Sequence, residues 1–175
     1  MKHTIILLFC ALACVTFANA QNKVKFSSIN QVGFLGNQSA TTVTLQTVNG
    51  ACYKGWFAGA GVGVDFHQYY TVPVFLDVRK EFGQRNQKPF VYLDGGVSIY
   101  NDTKDAFYDY KNGGYFDGGV GYAFYFHKRQ AVLLSAGYSY KSFKKERYWG
   151  EAWNYTVDTY RYNYNRLSFK VGWRF

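Results

Sequence analysis

Proline is nearly absent from this chain of 175 residues, at two, and cysteine is scarce, at three. So little proline excludes a Pro-rich linker, and three cysteines are too few for a disulfide scaffold. No apolar run of about 20 residues follows the N-terminus, so a helical membrane span is not expected. No H-E-x-x-H, paired C-x-x-C or G-x-S-x-G pattern occurs, and neither metal-peptidase nor serine-hydrolase chemistry is indicated. Aromatics and glycine are plentiful instead: 16 Phe, 17 Tyr, 4 Trp and 18 Gly. That content argues against disorder and suits strands better than helices. The chain is 48% hydrophobic, yet its mean hydropathy is -0.26.

Residues 1–20 read as a secretory signal peptide. Lys2 and His3 precede an apolar stretch from Ile5 to Phe17, and Ala18-Asn19-Ala20 is a small-x-small cleavage pattern. Cys10 and Cys14 lie inside it, where Phe9 and Ala11 depart from a lipoprotein signal. Residues 21–175 form one domain. Cys52 is then the only thiol, read as an inert turn residue, and no cofactor is expected. Removing Lys2 leaves 19 basic against 11 acidic residues, a net +8. An exported chain so basic favours anionic partners, phosphate-bearing lipid or nucleic acid among them.

From Lys54 onward two residue classes alternate, the mark of strands with chemically different faces. In 56–66, Trp56, Ala58, Ala60, Val62, Val64 and Phe66 oppose Phe57, Gly59, Gly61, Gly63 and Asp65. The same period predicts strands over 72–81, 90–100, 115–126, 132–141 and 166–175, and more weakly over 41–48. An eighth, around 24–36, completes an even count, with its phase left open. Pro73 and Pro89 fall near strand starts, where a missing N–H does least harm. The fold class is all-β: an antiparallel up-and-down barrel of about eight strands.

The polar face is mostly Gly, Ser and Ala with scattered charges, which suits a crowded lumen better than a solvated surface. The other face carries Val, Leu and Ala in mid-strand with Phe, Tyr and Trp near the ends, the pattern of a transmembrane β-barrel. Periplasmic turns are expected at 49–54, 83–88 and 127–130, and outer loops at 37–40, 67–71, 101–113 and 144–160. The ending Arg166-Leu-Ser-Phe-Lys-Val-Gly-Trp-Arg-Phe175, with Phe169, Val171, Trp173 and Phe175 alternating, resembles the C-terminal strand signal of Gram-negative outer-membrane proteins. In length and pattern the mature chain is similar to small eight-stranded barrels of the OmpX, OmpW and OmpA-barrel kind. The resemblance implies insertion into the cell outer membrane by the barrel-assembly machinery. It implies no activity, since such folds host many functions.

Asp65, Asp77, Arg79, Asp94, Asp117, Arg166, Lys170 and Arg174 share the polar face. They read as a network that neutralises itself and plugs the lumen, because buried charges must be paired. A path for small polar solutes and paired catalytic carboxylates are the alternatives. His67 and His127 fall at opposite ends of the barrel, so no shared metal site is expected. Lys141, Lys144, Lys145 and Arg147, followed by Trp149 and Trp153, could bind single-stranded nucleic acid. In a surface barrel the nearer anion is lipopolysaccharide phosphate, so lipid contact is expected there and nucleic acid is not. The loop around Phe107, Tyr108 and Tyr110 could join that surface against a protein or glycan ligand. The sequence thus predicts a non-enzymatic envelope or surface-interaction protein. A narrow pore and an accessory subunit of a secretion or envelope-assembly complex are its alternatives.

Overall fold

A computed structural model describes residues 24–36, 41–66, 71–83, 86–100, 108–127, 130–151 and 154–175. The signal segment 1–20 and the loops 37–40 and 67–70 lie outside these. The strands are β1 (Lys25–Gly36), β2 (Thr41–Tyr53), β3 (Trp56–Phe66), β4 (Thr71–Glu81), β5 (Gln87–Tyr100), β6 (Tyr108–Lys111), β7 (Gly113–Tyr125), β8 (Ala131–Glu151) and β9 (Asn154–Arg174). There is no helix among the described residues. All pairings are antiparallel, and β1 closes on β9, so eight strands form a barrel. The short β6 stands outside that count and continues the line of β7 along the upper part of β8.

Closure satisfies the backbone without water, which a wall in hydrocarbon requires. The register also fixes the lumen. A line perpendicular to the strands runs from Ala131 through Arg174, Ile29, Val48, Gly61, Phe75, Gly96 and Tyr115. It returns to β8 at Lys141, ten residues above its start (141 − 131). With strands about 4.8 Å apart rising about 3.3 Å per residue, this stagger tilts them by about 40° and gives a radius of about 8 Å. Such an interior has room for side chains and little else.

The faces sort as the solvent demands. Leu76 and Val120 are 67% and 61% exposed on the outer wall, while Asp77, Asp94 and Asp117 are 0% exposed inside. The phase of β1 is now settled: Ile29, Gln31, Gly33 and Leu35 point inward, and Val32 and Phe34 outward. The lower lumen also holds an apolar cluster that includes Ile29, Val48, Phe57, Phe90 and Leu133. Two glycines make space for the rings inside. A Cβ on Gly121 would overlap the Phe90 ring, and one on Gly137 would overlap the Tyr92 hydroxyl.

The connections differ from the sequence reading at several points. The first lower turn is the two-residue Lys54-Gly55, with φ of +47° and +79°, the left-handed pair of a tight hairpin. β5 begins at Gln87, inside the stretch read as the 83–88 turn. The stretch 144–160, read as a loop, is mostly the upper hairpin of β8 and β9. Its Lys-, Arg- and Tyr-rich sequence loses the apolar alternation because it has risen out of the apolar band. Within 101–113, residues 108–111 form β6.

Polar residues interrupt the outer wall at Asn30 on β1 and at Thr47, opposite it, and Asn49 on β2. Asn30 is exposed on β1, four residues from both Phe26 and Phe34, which are also outward and exposed. It therefore sits about midway up the apolar band, where an amide has no water partner. Exchanging Asn30 for Leu is expected to stabilise the barrel in lipid vesicles by about 1–2 kcal/mol, read from urea unfolding. A loss of stability would mean that this part of the wall does not face hydrocarbon.

Candidate functional site: a charged lumen

The register places Asp77 on β4 opposite Asp94 on β5, and Asp94 opposite Asp117 on β7. Three inward carboxylates in one row repel one another, so cations must reach them. Arg79, two residues beyond Asp77 on the same face, folds back onto it, with Nη2 2.5 Å from Oδ2 and Nε donating to both oxygens. Its Nη2 also donates to Gln31 Oε1 at 3.2 Å, and its guanidinium lies over the rings of Phe90 and Tyr92. Lys170 crosses from β9, with Nζ 3.3 Å from Asp94 Oδ2 and 3.0 Å from Asp117 Oδ2.

Neutral side chains complete this middle tier. Tyr92 Oη and Ser168 Oγ donate to Asp117 Oδ1 at 2.8 and 3.1 Å. Gln31 Nε2 donates to Gln46 Oε1 at 2.6 Å, and Gln46 Nε2 to Tyr115 Oη at 3.0 Å. Six of the eight barrel strands contribute: β1, β2, β4, β5, β7 and β9.

Above it, Lys141 pairs with Asp65, and Arg166 Nη1 donates to Thr42 Oγ1 at 3.2 Å beside the Tyr164 ring. Lys141 therefore corrects the sequence reading, which grouped it with the outer-loop cations. It is 6% exposed, on the same inward face as Ser139. Below, Arg174 pairs with Glu81, and Tyr125 Oη donates to both Glu81 oxygens. Glu81 has the parity of Asp77 and Arg79 on β4 but is not among the residues singled out from the sequence.

Counted through all three tiers, the buried charges balance. Asp65, Asp77, Glu81, Asp94 and Asp117 stand against Arg79, Lys141, Arg166, Lys170 and Arg174. The middle tier holds three acids and two bases, and the upper tier two bases and one acid. The surplus of one tier therefore faces the opposite surplus of the next. Among the described residues no cluster of three or more His, Cys, Asp or Glu side chains could hold a metal ion.

The eight residues assigned to a luminal network all point inward and are buried. They do not form one cluster: Asp77, Arg79, Asp94, Asp117 and Lys170 meet in the middle tier, Asp65 and Arg166 lie above it, and Arg174 lies below. Tyr92, Gln31, Gln46 and Ser168 were missed as members. The inward parity of Tyr92, Gln46 and Ser168 was available in the sequence and that of Gln31 was not, and the reach of all four across the lumen depends on the stagger.

At the upper end, Lys144 lies in register with Lys111 on β6 and with Arg161 on β9. All three are exposed, and they sit on the outward face above the apolar band. Lys145 is the next residue of β8, partly buried. Arg147 and Trp149 occupy backbone positions of β8 opposite Asp158 and Thr156, and Trp153 lies outside the described residues. Phe169, Val171, Trp173 and Phe175 project from the outer wall at the end of the chain, each 44–57% exposed.

The middle tier yields a direct test. Lys170→Met leaves Asp94 and Asp117 buried without their shared cation and is expected to destabilise the barrel by about 3–5 kcal/mol. Adding Asp94→Asn should recover part of that loss. Unfolding in urea, followed by tryptophan fluorescence in vesicles, reads both. Equal stability of the single variant and the parent would break the proposed pairing.

No family model matches the chain, and no curated protein matches it in sequence. Several solved structures are similar. The outer membrane protein OprG from Pseudomonas aeruginosa has a TM-score of 0.56 at 10% identity, over 87% of this chain and 97% of that one. The N-terminal β-barrel domain of Pseudomonas aeruginosa OprF has 0.52 at 12%, over 85% and 97%. Neisserial surface protein A has 0.52 at 12%, over 86% and 95%. At such identities the likeness is one of fold: this chain has the closed eight-stranded architecture of small outer-membrane β-barrels.

Proposed function

We propose that the protein is an integral outer-membrane barrel, exported through a cleaved signal peptide at 1–20, whose lumen is plugged by its own side chains. It works without catalysis, through its ends and outer wall. The observation that carries this reading is the middle tier, where side chains from six strands bond across the lumen and the charges of the whole interior cancel. A conducting path would need water between these groups, and a lumen of about 8 Å radius filled by rings and guanidinium groups leaves little space for it. Planar-bilayer recording of the purified protein is expected to give no stable conductance steps. Reproducible steps would overturn the plug and favour a narrow pore for small polar solutes.

The surface role is assigned to the upper end. Lys144 and Arg161 form an exposed cross-strand row of like charge, which is unfavourable alone and is relieved by an anion. Just above a lipid-facing wall, that anion is the phosphate of lipopolysaccharide. Lys145, Arg147, Trp149 and Trp153 enter the proposal by sequence proximity, together with a protein or glycan ligand. The outward residues Phe169 to Phe175 serve as the recognition signal for the barrel-assembly machinery. Lys144→Glu with Arg161→Glu is expected to reduce co-purifying lipopolysaccharide several-fold without changing heat-modifiable gel mobility. Unchanged lipid content would remove this row from the lipid contact.

A further inference from the structure

At the lower end, where the short turns lie, the barrel opens into a cavity of about 280 Å³ that the luminal network does not fill. Its lining carries four cations, Lys25, Lys54, Lys88 and Arg174, against one acid, Glu81. That acid is already engaged by Arg174, by the Tyr125 hydroxyl and, at 3.7 Å, by Lys88. Counted on side chains, three positive charges are left over at one mouth, partly offset by the α-carboxylate of Phe175 in the same lining, while the interior above is neutral.

A second observation is independent of the charge count. The side chains of Arg174 and Ser27 are both more than nine-tenths buried; Ser27 meets the Cys52 thiol, whereas Arg174 Nε has no hydrogen-bond partner among the described residues. Both residues line the cavity. Arg174 is locked in place, with Nη1 on Glu81 and on Tyr125 Oη (2.8 Å) and the guanidinium over the Phe57 ring. Its free N–H is thus a fixed donor rather than a swinging one. An orphaned buried donor is costly, and an acceptor with several oxygens and more than one negative charge satisfies both observations together.

We propose that this lower mouth binds a phosphate group. Arg174 Nε holds an oxygen of it at the cavity floor, and Lys25 and Lys54 neutralise it at the rim. Lysine serves phosphate as a point charge, and arginine as a directed donor. A carboxylate, with a single charge, would leave more of the surplus uncompensated. The rest of the wall is aromatic, with Tyr53, Trp56 and Phe57 among its members, so a phosphate ester with a small organic substituent fits better than a bare polyanion. The cavity lies at the level of the lower aromatic girdle, so that ester is either a soluble metabolite of the compartment below or a phospholipid headgroup of the adjacent leaflet.

The test uses the full barrel in a phosphate-free detergent. Calorimetric titration with inorganic phosphate and with glycerol phosphate probes the soluble source. Native mass spectrometry, counting retained phosphatidylglycerol against a phosphate-free glycolipid, probes the headgroup source. Binding in the first arm assigns a soluble ligand, and retention in the second alone assigns the lipid. In either case Lys25→Met with Lys54→Met, both exposed at the rim, should weaken binding about tenfold with an unchanged unfolding midpoint. Arg174→Gln should weaken it further, and Lys144→Met at the opposite end should do nothing. No binding in either arm, or binding indifferent to the Lys25 and Lys54 exchanges, would overturn the site.

Discussion

Everything in this molecule follows from the width of its lumen. Eight strands with a ten-residue stagger enclose a radius of about 8 Å. Hydrocarbon outside leaves the polar half of each strand nowhere else to go. Into that space the chain directs five acids and five bases, with too little room for water to solvate them singly. Each charge must meet a partner from another strand, and the rings that fit between them need glycines opposite, as Gly121 does for Phe90 and Gly137 for Tyr92. Packing and electrostatics are one constraint here.

The axis is not uniform, and its gradient separates the tasks. Apolar side chains gather in the lower lumen, the carboxylate row occupies the middle, and the surplus cations sit above it. The interior holds its charges closed on themselves, so attraction for other molecules is left to the two ends. At the upper end the exposed cations line the outside wall, above the apolar band. At the lower end they line the inside of the mouth. The net positive charge of the chain is thus a property of its ends rather than of its core.

Much of the barrel was legible in the sequence, because a strand between lipid and a polar lumen must alternate residue by residue. From 56 to 66 the parity alone assigned every side chain to its face. Legibility failed where that contrast fails. In Ser27-Ser28-Ile29-Asn30-Gln31 both faces are polar, so the phase of β1 was open until its pairing with β2 and β9 fixed it. Above Lys141, β8 and β9 leave the hydrocarbon and their outward residues become Lys, Arg and Asn, which reads as a loop. Lys141 itself was grouped by its neighbours in sequence, although its parity with Ser139 already pointed inward. The row of Asp77, Asp94 and Asp117 was beyond a single sequence, since each aspartate is unremarkable until the stagger aligns them.

The central claim is that Lys170 bridges Asp94 and Asp117 across the lumen and so closes it. Solid-state NMR of the selectively labelled protein in lipid bilayers measures this without perturbing the network, through nitrogen–carbon couplings from Lys170 Nζ to the two carboxyl carbons. Both couplings should report separations within the salt-bridge range, about 4 Å. A Lys170 ammonium that is hydrated and coupled to neither carboxylate would contradict the account.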